Sequence, residues 1–123
     1  MAESQDRPRF DVREVPSMQP NMTVLRLSGQ LDAHTAPEFE RFLEDRVRTE
    51  QKHRLILAFS TLDYISSAGL GVLMGLIEEV RAEDGDMKLA ALPEKIFHVL
   101  DLLGFPMVFQ IYPTVEGATK AFE

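Results

Sequence analysis

The sequence contains no cysteine, which excludes a disulfide framework, a thiolate metal site and a cysteine nucleophile. It holds no apolar run near the ~20 residues that a membrane-spanning helix needs. Positive charge is in short supply: 13 Lys and Arg stand against 20 Asp and Glu, a net charge of −7. That balance argues against nucleic acid or an anionic membrane as the main partner, and no membrane insertion is expected. Residues 1–9 are polar, carry charges of both signs and lack the apolar core of a signal peptide. They are expected to be a disordered lead-in to one domain, residues 10–123, in a cytoplasmic protein. His34, His53 and His98 lack the spacing that sets two ligands on one helix face, so no metal site or cofactor is expected. There is no internal repeat or low-complexity segment.

What is present alternates between strand and helix patterns. Phe10–Val15 and Met22–Ser28 read as strands, joined by a Pro16–Asn21 link with two prolines that favours a reversal. A helix is expected over Ala36–Thr49, with Thr35 as its N-cap, Glu38 at capping-box spacing and Pro37 in the first turn. Arg54–Phe59 is an almost continuous apolar run that suits a central strand. A helix to about Ala82 follows, with Leu70, Leu73, Met74, Ile77 and Val80 at helical spacing. Met87–Leu92 is the next strand, and Pro93 opens a helix through Leu103 that Gly104 closes. Met107–Tyr112 reads as a last strand. Thr114 begins a final helix with Val115, Ala118, Ala121 and Phe122 as anchors. The order β-β-α-β-α-β-α-β-α predicts an α/β fold: an antiparallel N-terminal hairpin, then parallel strands with right-handed crossovers and about four helices.

The most informative stretch is Leu62-Asp63-Tyr64-Ile65-Ser66-Ser67-Ala68-Gly69-Leu70-Gly71-Val72-Leu73. Two serines fall where a strand gives way to a helix. A hydroxyl there can cap the helix, act as a nucleophile or accept a phosphate, since the free N–H groups and the helix dipole favour an anion. A hydrolase elbow would need a small residue two before the serine, where Ile65 precedes Ser67. No histidine sits in a recognisable partner motif for such a triad. A dinucleotide loop would need glycine at Met74, and there is no Gly-Lys-Ser/Thr phosphate loop. Gly71 and Gly75, four apart, share one helix side, either for close packing or as a docking patch. Asp32 reads as a turn residue or as part of a docking site.

Three pieces together, Gly29-Gln30-Leu31-Asp32, Leu55–Ser60 and the serine stretch, resemble a STAS domain of the bacterial anti-sigma-factor antagonist kind. The resemblance runs from about Phe10 to Phe122. It implies a non-enzymatic regulator that binds an anti-sigma factor when unphosphorylated, so that a sigma factor is released. The same partner, acting as a serine kinase, would phosphorylate the antagonist, and a protein phosphatase would reset it. Aligned on Gly69-Leu70, the phosphoacceptor is Ser67. Ser66 stands where the family often has Asp, and Ala68 where it has a second Ser or Thr. Asp32 matches an acidic residue near the phosphoacceptor. The implied partner-binding residues are Asp32, Ser66, Ser67, Gly71 and Gly75. The resemblance also admits a STAS subunit of a larger assembly, such as a stress-signalling scaffold or the cytosolic component of a transporter.

Overall fold

The computed structural model describes residues 9–123. Residues 1–8 of the expected lead-in lie outside the described residues. Arg9 is placed, and its carbonyl lies against Gly29.

The strands are β1 (Asp11–Val15), β2 (Thr23–Leu31), β3 (Arg54–Ile65), β4 (Asp86–Ala90) and β5 (Ile111–Tyr112). The helices are α1 (Ala36–Glu44), α2 (Ser67–Ala82), α3 (Glu94–Leu102) and α4 (Val115–Phe122). The five strands form one sheet in the order β1-β2-β3-β4-β5, with β1 antiparallel to β2 and the other neighbours parallel. This is the mixed α/β architecture the patterns predict. The apolar run of β3 takes the middle of the sheet, where both its edges are paired and its Leu55–Phe59 segment is buried throughout.

The alternation along β2 decides which face is which. Leu25, Leu27 and Leu31 point to the main core, together with Leu55, Leu57 and Phe59 of β3 and Met87 and Leu89 of β4. α1, α2 and α3 cover this face through Phe39 and Leu43, Leu73, Leu76, Ile77 and Val80, and Ile96 and Leu100. α4 lies on the opposite face, where Ala118 and Phe122 pack on Met22, Val24, Ile56 and Ala90. Arg54 donates to the Phe122 carbonyl at 3.1 Å, and the buried Lys88 ammonium lies 4.6 Å from the centre of the Phe122 ring.

Several sequence expectations shift. β2 and β3 run three and six residues beyond Ser28 and Phe59, to Leu31 and Ile65. Leu62 and Ile65 still find the core there because register shifts between Arg26 and Ser28, and again between Gly29 and Gln30, re-aim the pair. The helix through Thr49 exists, but Asp45–Thr49 has π geometry. Only Ile111–Tyr112 of the expected Met107–Tyr112 strand pairs. Phe105–Met107 is a 3-10 turn that buries Phe105 against Phe109, with ring centres 5.5 Å apart. Pro93 does precede α3, and Gly104 leaves it in the left-handed region, φ +79°. Ala121 points outward rather than anchoring α4. Met74 is 45% exposed and does not join the α2 core stripe.

Candidate functional site

The site forms where β2 and β3 end together. Leu31 pairs with Ile65, and Ser66 N donates to Leu31 O at 2.9 Å. That bond sets the Asp32 turn beside the serine turn at the C-terminal ends of parallel strands, the usual place for ligand and partner sites in such sheets.

Ser66 occupies the N-cap position of α2 with extended backbone, φ −106° and ψ 173°, and its carbonyl accepts from Leu70 N at 3.1 Å. Its side chain makes no capping bond. The Ser66 Oγ is buried and finds no hydrogen-bond partner among the described residues. Of the three roles open to a hydroxyl here, capping is not the one Ser66 takes: the hydroxyl at the cap position is turned inward. Ser67 is the first residue of α2 and is exposed. The two neighbouring serines thus differ fully in access. An unmade buried hydrogen bond costs about 1–3 kcal/mol, so Ser66→Ala is expected to leave stability unchanged or raise it by up to ~1 kcal/mol. A capping serine would instead lose ~0.5–2 kcal/mol on the same change, and urea denaturation separates the two.

The first turn of α2 comes close to the end of β2. A Cβ on Gly69 would sit 2.6 Å from Leu31 Cγ and 3.3 Å from Ile65 Cγ1. Only glycine lets the helix start this near the core, which is a packing role rather than a nucleotide loop. Gly71 and Gly75 are different. Both are exposed, and a Cβ on either would meet no atom within 4 Å, so neither serves close packing within the described chain. With Ser67, Met74 and Glu78 they lie on one exposed face of α2. Gly71→Ala and Gly75→Ala are each expected to stabilise the fold by about 0.5–1 kcal/mol, because alanine restricts the unfolded chain and nothing obstructs the methyl group. A raised thermal midpoint in both variants checks this.

Asp32 is held as a turn. Its Oδ1 accepts from His34 N at 2.9 Å and from Thr35 N at 3.2 Å. The Thr35 hydroxyl accepts from Asp32 N at 2.9 Å and donates to Gln30 O at 2.9 Å. Thr35 precedes α1 but makes no capping bond, so the expected capping box with Glu38 does not form; its hydroxyl is spent on the Asp32 turn instead. Desolvation pushes the Asp32 carboxyl up, but the bonds from the His34 and Thr35 backbone and the Thr35 hydroxyl, with the His34 charge, outweigh it and hold the group below the ordinary aspartate value. Asp32 is therefore an anion at neutral pH, close to the turn that carries Ser67. Beside it, Asp63 is exposed and Tyr64 is 50% exposed. The exposure of Tyr64 and Met74 was not legible in the sequence, since both fall in apolar-looking stretches.

Two carboxyls outside the site behave like Asp32. Paired nitrogens of Arg48 at 2.9 and 3.0 Å hold Glu79 below its ordinary value against desolvation. At Asp86, desolvation is the largest influence, but bonds from Lys88, Arg81 and Met87 N outweigh it. A depressed carboxyl adds stability above its unfolded pKa, about 4, and loses it as pH falls through the folded value. Stability is accordingly expected to be flat near neutrality and to decline below about pH 4. Urea denaturation as a function of pH checks this.

The sequence matches the STAS domain family over residues 11–118. The chain belongs to the STAS domain family. This STAS domain is 26% identical over 100 residues to the anti-sigma F factor antagonist of Paenibacillus polymyxa, covering 81% of this chain and 86% of that one. It is 27% identical over 96 residues to the anti-sigma-B factor antagonist of Bacillus subtilis, covering 78% and 86%. The solved anti-sigma factor antagonist SpoIIAA in its unphosphorylated form shares the fold, with a TM-score of 0.76 at 21% identity over 93% of this chain and 96% of that one. The phosphorylated Bacillus SpoIIAA gives 0.69 at 21% identity, over 94% and 100%. Among the described residues, no helix of this STAS domain is long and apolar enough to cross a membrane, and no cluster of potential metal ligands occurs.

Proposed function

We propose that this STAS domain is an anti-sigma-factor antagonist switched by phosphorylation of Ser67. The unmodified protein docks on an anti-sigma factor through Asp32, Ser67, Gly71 and Gly75, with Ser66 contributing its backbone rather than its buried hydroxyl, and a sigma factor is released. The same partner is a serine kinase that carries ATP and magnesium and transfers a phosphoryl group to Ser67. A protein phosphatase restores the hydroxyl.

The observation that supports this reading is the contrast within the serine pair. The Ser67 side chain is open to solvent at the head of α2, and the Ser66 hydroxyl is buried beside it. A kinase must bring its phosphate donor in line with the attacking oxygen, which Ser67 permits and Ser66 does not. The phosphate would add about −1.5 to −2 charges. Within the domain the free N–H groups of the first helical turn tolerate that charge, so the fold need not change. Across the interface the charge works the other way. It must be desolvated, and the anionic Asp32 and exposed Asp63 already make this end of the sheet negative. The names of the curated relatives favour the same kind of partner.

The test is a pull-down with candidate anti-sigma kinases in the presence of ATP and magnesium. Ser67→Ala is expected to stay bound while the parent is released. Release of both at the same rate would sink the assignment.

A further inference from the structure

The sheet has one covered face and one that is open in part. α4 lies against β3, β4 and β5 and seats on Val24, Ile56 and Ala90. Among the described residues, no helix packs over the rows of β1 and β2 nearer the Asp32 end. There the register puts Arg13 directly opposite Arg26, with Ala58 next in the row; the following row is Asp11, Ser28 and Thr61. Both arginines are exposed. Arg13 reaches Asp11 at 2.9 Å, whereas the Arg26 guanidinium has no partner among the described residues. Like charges directly opposite on neighbouring strands destabilise a sheet. A chain with 20 acidic residues sets only Asp11 on these rows, and short side chains, Ala58, Ser28 and Thr61, flank the pair.

We propose that this open sheet face is a second interaction surface, and that it takes an acidic segment of a protein partner whose carboxylates pair with Arg13 and Arg26. The guanidinium fork matches a carboxylate two bonds at a time. Two adjacent forks suit two carboxylates on one strand-like segment. A nucleic acid or an anionic bilayer gains its affinity from many phosphate contacts spread over a broad basic surface, whereas this face offers two guanidinium groups side by side, Arg13 and Arg26. The face is separate from Ser67, because α2 packs on the other side of the sheet. Both surfaces can be engaged at once.

Hexaglutamate titrated into the 15N-labelled chain tests this. Amide shifts are expected at residues 11–13, 26–28 and 58–61, and the affinity should fall about fivefold or more between low and high salt. Arg13→Gln with Arg26→Gln should abolish the shifts while the thermal midpoint stays level or rises, as relief of the like-charge pair predicts. Ser67→Ala should bind the peptide as the parent does, so the result does not depend on the phosphoswitch. Absence of shifts on these rows, or the same shifts in the double variant, overturns the proposal. Binding to phosphatidylglycerol vesicles or to a single-stranded oligonucleotide that the double variant loses also overturns it, since the face would then serve a membrane or a nucleic acid.

Discussion

Phosphorylation of Ser67 is expected to weaken binding to the anti-sigma factor some hundreds-fold, a loss of ~3–4 kcal/mol. The figure follows from where the hydroxyl sits. Ser67 is exposed in the free chain and lies at the head of the face formed by Gly71, Met74 and Gly75. The bare glycines let a partner backbone come close, and a close partner removes water from Ser67. A dianion placed in that contact without a matching cation opposes docking directly. Ser67→Asp carries less charge and should lose less affinity, yet still bind more weakly than Ser67→Ala. Titration calorimetry on the four forms checks the order: parent and Ser67→Ala tight, Ser67→Asp weaker, phosphorylated chain weakest. The fold should persist throughout, so thermal midpoints of the phosphorylated and free forms should agree to within a few degrees.

The second large effect is structural. Gly29→Ala is expected to destabilise the fold by about 3 kcal/mol or more. Gly29 has φ +85°, and a Cβ there would lie 1.7 Å from the Arg9 carbonyl oxygen and 3.1 Å from Phe10 Cα. Those are backbone atoms, so no rotamer change relieves the overlap. The chain just ahead of β1 would have to lift off β2, and it carries Phe10, whose ring meets Phe39 edge-on at 5.7 Å. Stabilities of single domains are about 5–15 kcal/mol, so a large share would go. Urea denaturation measures it, and Gly71→Ala, with an open site and the opposite expected sign, is the internal control.

Much of this was legible in the sequence because the signals were periodic. The buried run Leu55–Phe59 named the central strand, and Leu70, Leu73, Ile77 and Val80 named the inner face of α2. The Asp32 turn and the serine turn could be placed together once the strands were known to be parallel neighbours. What escaped were features that depend on a third body. Met74 fits the apolar pattern but lies at the edge of the stripe, where it is left 45% exposed among the described residues. Thr35 has the chemistry of a cap, yet the Asp32 turn offers its hydroxyl better partners in Asp32 N and Gln30 O. The Ser66 side chain turns inward because Ser66 N is tied to Leu31 O, a bond between segments 35 residues apart in order that no local rule anticipates. The role of Gly69 likewise appears only when Leu31 is in view.

The proposed switch needs one hydroxyl to be the acceptor while its neighbour is not. Phosphosite mapping by mass spectrometry, after incubation with candidate anti-sigma kinases, ATP and magnesium, tests that most directly. A single phosphate on Ser67, absent from Ser67→Ala and retained by Ser66→Ala, is the predicted result. A phosphate on Ser66, or a Ser67→Ala variant modified as readily as the parent, would contradict it.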